Sequence, residues 1–264
     1  MKNKSKLKIN VNIKKQHIFL LSGCVLLVVA AITAAFMTDY KRADNVFAVG
    51  SVSLTVTEPN FPTESSELVM YSGKTIPKDP KIINNGNNKE YVFMSVTVPK
   101  RKVTLLSENG TKTSAGTDVD TAPTDYSEIF YLFSDSATAV SDPTNCPNIK
   151  YEPSWAFVSS SGTENTSDKA TYVFGYKKML NTFSDNSGFD TTPLFNKVRL
   201  NSFIEGENSS DDKTRDIVIK AYGVQADNIR GIESLPTDNT TELTAEQMIY
   251  VYNIIINQTT EGTP

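Results

Sequence analysis

Histidine is almost absent from this chain of 264 residues: only His17 carries an imidazole, and it lies in the basic head. Everything downstream therefore lacks a Ser-His-Asp or Cys-His pair, a His-Glu-x-x-His helix and an imidazole zinc ligand. Cysteine is nearly as scarce. Cys24 sits in an apolar run near the start and Cys146 stands alone in the remainder, so no intrachain disulfide is possible once that start is removed. Stability has to come from packing, and Cys146 reads as a buried or idle thiol. No internal repeat of 20–50 residues is evident, which argues against a solenoid or a propeller.

The start of the chain supplies the clearest positive signal. Met1–His17 carries Lys2, Lys4, Lys6, Lys8, Lys14 and Lys15 with no acid, and Ile18–Ala35 follows without a charge. A basic head, an apolar core and an alanine-rich exit are the parts of a secretory signal peptide, with the basic side left in the cytoplasm. The expected cut is the Ala34–Ala35 bond, with the bond after Ala35 as second choice, because small residues gather there and no basic stop-transfer cluster follows. Two other outcomes stay open. About 18 apolar residues is near the lower limit for spanning a bilayer, so an uncleaved anchor is the first. The second is lipidation, since Leu21-Ser22-Gly23-Cys24 has the form of a lipobox. Against it, Cys24 lies inside the apolar core, ahead of Val25–Ala31, where a lipobox cysteine would end that core.

The chain divides accordingly into a signal peptide (1–34), a mature N-terminal segment (35–47) and a domain over 48–264 with an insertion near 107–127. Removing 1–34 leaves about 230 residues, enough for one sizeable domain or two small ones. Six basic and no acidic residues leave with that segment, so 20 basic residues face 30 acidic ones, a net charge of −10. Such a balance is a poor basis for binding nucleic acid or an anionic bilayer. The expected location is secreted, in an extracellular matrix or at the cell surface, with membrane contact only during export.

The body reads as short strands. Val46–Thr57 alternates Val52, Leu54 and Val56 with polar residues and is broken by Glu58-Pro59-Asn60-Phe61-Pro62. Thr75–Asn84, with Pro77 and Pro80, suits an edge strand. Asn84-Asn85-Gly86-Asn87-Asn88 reads as a turn joining Lys81-Ile82-Ile83 to Tyr91–Val98 in a hairpin, with Val92, Met94, Val96 and Val98 on one face. Residues 107–127 lack an apolar period and read as a long loop. Ile129–Phe133, Trp155–Val158, Thr171–Tyr176 and Lys197–Phe203 read as strands, and 134–147 as a loop. Asp216–Ala226 is apolar on both faces, which suggests a central strand. One helix is expected, because Thr244-Ala245-Glu246-Gln247 fits a capping box and Met248, Val251, Tyr252 and Ile255 recur at helical spacing; the β-branched run Ile254-Ile255-Ile256 argues the other way. The fold class expected is all-β, an antiparallel jelly-roll-like β-sandwich with one C-terminal helix and long loops.

Several blocks resemble the TasA/camelysin family of secreted Gram-positive proteins. Ala35-Phe36-Met37-Thr38-Asp39 is similar to the start of the mature chain in that family, and Asn45–Gly50 to its Asn-x-Phe-x-x-Gly opening strand. Lys78-Asp79-Pro80 through Asn85-Gly86-Asn87 to Tyr91–Val98 resembles its Lys-Asp-Pro, Asn-x-Gly and paired-strand block. Thr191–Val198 and Ile219–Ile229 resemble later segments. The likeness covers roughly half the chain and leaves residues 100–170 unmatched. It implies a jelly-roll subunit of extracellular biofilm fibres, cut by a SipW-type signal peptidase, in which the N-terminal segment of one subunit completes a sheet of the next. The candidate donor strand is Ala35, Phe36, Met37, Thr38, Asp39 and Tyr40, extending toward Ala43, with Phe36 as pocket anchor. Expected partners are the signal peptidase, other copies of the chain and an accessory matrix protein, and no nucleic acid.

Two other functions compete. Camelysin's name suggests a metal-dependent protease, which the ligand inventory does not favour; no catalytic residue, cofactor or metal site is expected. Asp185–Asp190 and Glu207–Asp212 are acidic enough for calcium but lack EF-hand spacing, and solvated turns account for them more simply. The remaining alternative is a monomeric surface adhesin, with Trp155 and the aromatic strands lining a ligand face, although core packing explains those aromatics more simply. Leu235-Pro236-Thr237-Asp238-Asn239 only begins like a wall-sorting signal, so retention by polymerisation or by a partner is expected.

Overall fold

Alternation of apolar and polar residues dominates the body of the chain, and the computed structural model is built from strands accordingly. It describes residues 53–64, 67–106, 126–160, 166–205, 216–227, 229, 231–232 and 235–261. The chain runs through β1 (Leu54–Thr57), β2 (Thr75–Pro77), β3 (Lys81–Asn84), β4 (Glu90–Leu105), β5 (Tyr126–Glu128), β6 (Phe130–Phe133) and β7 (Val140–Ser141). It continues through β8 (Ile149–Tyr151), β9 (Trp155–Ser159), β10 (Lys169–Tyr176), β11 (Lys197–Leu200), β12 (Phe203–Glu205), β13 (Val218–Gln225) and the helix α1 (Ala245–Glu261).

One sheet is built around β4, which is 16 residues long. It pairs antiparallel with β10 through Phe93–Pro99 and with β13 through Glu90–Thr97. Beyond Pro99, whose missing N–H marks the change of partners, β5 pairs with Lys100–Lys102 and β12 with Val103–Leu105. β9 adds to the far side of β10. The second sheet has the order β2-β11-β6-β8-β7, antiparallel except for the parallel pair β6–β8. A separate ladder joins β1 to β3.

Period-2 patterning explains how the sheets stack. Val92, Met94, Val96 and Val98 of β4, with Tyr172 and Phe174 of β10, meet Ile76, Leu132, Ile149, Val198 and Leu200 of the second sheet in one core. Each such side chain contributes about 1.5–3 kcal/mol on burial. The opposite face of β4 and β10 presents Tyr91, Phe93 and Val173, and α1 covers them with Met248, Val251, Tyr252 and Ile255. The expected all-β sandwich with a C-terminal helix is what forms. The helix begins as its residues dictate: Thr244 N–H donates to Gln247 Oε1 at 2.9 Å and Gln247 N–H donates to Thr244 Oγ1 at 3.2 Å. Tertiary burial of the Met248–Ile255 stripe outweighs the β-branched run.

Several expectations need correction. The turn at 84–88 does not make a hairpin. β3 ladders with β1 and is bridged on its other side by Asp190, while both edges of the start of β4 are taken up elsewhere. Among the described residues β13 ladders with β4 alone. Its second apolar face is explained by α1, since Tyr222 and Val224 pack into the helix cluster while Ile219 and Ala221 face the sandwich core. The strand expected over 197–203 is broken at Asn201-Ser202 into β11 and β12. Of the insertion placed near 107–127, residues 107–125 lie outside the described residues, and 126–127 belong to β5.

Candidate functional site

The best-defined candidate site is the seam where β1 ladders with β3 and lies beside β13. Two sequence blocks hold its floor. Lys78, 6% exposed, donates to Glu58 Oε1 at 2.6 Å and lies 4.7 Å from the centre of the Phe61 ring. Asp79, 3% exposed, accepts from the Asn60 backbone N–H at 2.9 Å and from Asn60 Nδ2 at 2.7 Å. Lys78-Asp79 is thus a clasp that fastens the Glu58–Phe61 loop, and with it the end of β1, to the β2–β3 junction. Asn84 does the same for the turn. Its Nδ2 donates to the carbonyls of Asn88 at 2.7 Å and Asn181 at 2.9 Å, and its Oδ1 accepts from the Gly86 N–H at 2.8 Å.

At the head of the seam is Glu90. Its residue is 0% exposed, and neither carboxyl oxygen has a hydrogen-bond partner. Burial drives its pKa up to about 8; the nearby Ser53 backbone N–H opposes this only in part and closes no hydrogen bond to either oxygen. On one edge Glu90 exchanges backbone hydrogen bonds with Leu180 (3.0 and 2.8 Å), and on the other it stands opposite Gln225. β1 lies beside β13 without a ladder between them among the described residues. The eight residues of β13 make a longer sheet edge than β9 (five), β2 (three) or β7 (two).

Other polar groups are occupied structurally. Glu128 accepts from the Tyr172 hydroxyl and from Asn148 Nδ2. Cys146 is buried, and desolvation, then Asp142 and Glu128, push its thiol up to about 12, where it is a poor nucleophile. Asp185 accepts from Thr182 N at 3.0 Å and from its hydroxyl at 2.8 Å, whereas Asp190 pairs with Lys81 at 3.7 Å. Those two carboxylates therefore serve separate local contacts. The Glu207–Asp212 cluster lies outside the described residues. Among the described residues no group of three or more His, Cys, Asp or Glu side chains is placed to hold a metal ion.

The expected cleavage residues Ala34 and Ala35 and the candidate donor Ala35, Phe36, Met37, Thr38, Asp39 and Tyr40 lie outside the described residues, as do Cys24 and the export segment. Among the described residues no helix is long and apolar enough to cross a membrane. Trp155 lies in the core, the simpler of its two readings, and not on a ligand face: it is 1% exposed and its indole N–H donates to the Thr192 carbonyl at 3.1 Å. Tyr131 and Phe133 do lie on the outer face of the second sheet, stacked at 5.3 Å, with the Arg199 guanidinium 5.4 Å from the Tyr131 ring. Sequence reasoning passed over Glu90, although its parity with Val92 and Met94 on β4 marks it as inward-facing. Comparison of the chain with models of protein families, with curated proteins and with solved structures returns no match.

Proposed function

We propose that this chain is a secreted, jelly-roll-like structural subunit of an extracellular biofilm-matrix fibre. Signal-peptide cleavage would free the 35–43 segment, which then ladders onto a sheet edge of the next copy. The observation that carries this reading is β13, an eight-residue strand that ladders with β4 and lies beside β1 without a ladder to it among the described residues. An added strand there satisfies a row of backbone donors and acceptors, and alternate side chains supply specificity. A head-to-tail contact of this kind does not close on itself and grows into a filament. The export segment and the resemblance of Ala35–Asp39 to the start of a fibre-forming mature chain support the same reading. A processing peptidase of SipW type and an accessory matrix protein would be its partners.

The test is electron microscopy and size-exclusion chromatography of the processed chain beside one lacking residues 35–44. Fibres from the first and a monomer from the second are expected. Fibres from both would remove strand donation. A processed chain that stays monomeric at every concentration and pH would instead favour the adhesin reading, for which the Tyr131–Phe133–Arg199 surface is the specific support.

A further inference from the structure

A carboxyl group without a hydrogen-bond partner in a protein core is costly in either protonation state, and far more so when ionised. Glu90 is such a group, and its place in the fold gives it leverage. Its inward parity puts the side chain on the core face of β4 shared with Val92 and Met94, near enough to the root of β1 for the Ser53 backbone N–H to act on it. The neighbours are neutral: Gln225 stands opposite on β13, Leu180 on the other edge, and Ser53 precedes β1. Lys89, next in the chain, sends its ammonium to the Thr237 carbonyl at 3.5 Å, and Asp227 acts on Tyr91. Lys81 of β3 is engaged by Asp190, and Lys78 by Glu58. Burial is the largest influence on Glu90, and among the described residues no charged group opposes it.

We propose that Glu90 is a proton-operated latch on the β1 seam: neutral, it stays in the core and holds the seam shut, and ionised, it leaves the core and releases β1 from β3. The step is a simple loss of the carboxyl proton to water, with no other reactant. The sign follows from linkage. The folded chain keeps the proton up to about pH 8, whereas an unfolded or opened chain releases it near the ordinary value of 4.5. The closed seam therefore binds more protons than the open one across that window. Its closure is strongest at the acid end and is lost as pH rises through about 8. This inference concerns the seam alone and holds whether or not the chain polymerises.

Hydrogen exchange resolved by residue on the whole processed chain tests it, from pH 6 to 9.5, after correction for intrinsic rates. The β6–β11 ladder, on the other sheet, is the internal reference. Protection of the β1–β3 amides is expected to fall about tenfold per pH unit from pH 6 to about 8 and to level off above it. Glu90→Gln, and Glu90→Leu as a second variant should the amide fold poorly, are expected to abolish that fall. A flat β1–β3 protection in the unmodified chain would overturn the latch. So would an unchanged fall in both variants, or β1–β3 amides that exchange no faster than those of β6–β11 at any pH, which would mean that the seam opens only with the whole domain.

Discussion

Glu58→Gln keeps the size of the side chain but strips Lys78 of the carboxylate it holds at 2.6 Å. The Lys78 side chain is 8% exposed and that of Glu58 is 21% exposed, so the abandoned ammonium cannot recover its full hydration. At an effective dielectric of about 20 the gross attraction at that separation is about 6 kcal/mol, and desolvation of the two charges cancels most of it. The Phe61 ring, 4.7 Å from the ammonium, remains in place and is worth about 1–2 kcal/mol. Glu58→Gln should therefore cost about 2–3 kcal/mol. Lys78→Met, which puts a thioether under the ring and leaves the more exposed carboxylate alone, should cost about 1–2 kcal/mol. The double variant removes both charges and should cost no more than about 1 kcal/mol, a coupling of about 2 kcal/mol or more. Urea unfolding followed by the fluorescence of Trp155, the chain's single tryptophan, measures all four corners of the cycle. Costs that add within about 0.5 kcal/mol would refute the clasp, because two groups that do not depend on one another cannot be fastening the loop.

Global stability should fall by about 2–3 kcal/mol between pH 5 and 9 through Glu90, less than the full shift implies because the ionised group can relax toward water, and Glu90→Gln should flatten the profile. Thr244→Ala should cost about 1 kcal/mol in thermal or urea unfolding, with Thr244→Ser close to the parent. A Cβ at Gly175 would meet Met248 Sδ at 2.5 Å and Phe93 Cε1 at 2.9 Å, so Gly175→Val should cost about 1–3 kcal/mol, and Met248→Ala in the same chain should recover part of it. Cys146 should react with a thiol reagent only as fast as the chain opens, so its labelling rate in urea should track unfolding.

How much of this was legible from residues depends on the range of the interaction. Period-2 alternation marked Val92–Val98, and a capping box with a helical stripe marked the start of α1, because both signals are local. The sixteen-residue length of β4 was hidden by Pro99 and by Lys100-Arg101-Lys102, which look like an ending yet face β5. Asp216–Ala226 was correctly apolar on both faces, but the pattern does not say what covers each face, since a helix and a second sheet bury a strand face equally well. The hairpin failed because Asn-Gly chemistry specifies a turn and not which partner each flanking strand takes. The Lys78–Glu58 and Asp79–Asn60 contacts join residues about twenty positions apart across two loops, and no periodicity signals them. The expected cleavage and donor residues stand as expectations, since they lie outside the described residues.

The length of β4 also sets an order of events. Synthesis delivers Glu90–Leu105 well before β10, β12 and β13, so this strand spends the early life of the chain with bare backbone on both flanks. A long ribbon waiting for distant partners folds slowly and invites the wrong neighbours. Nascent molecules are thus most vulnerable between the emergence of Leu105 and that of Gln225, and premature termination anywhere in that interval leaves a chain primed to stick rather than one merely shortened.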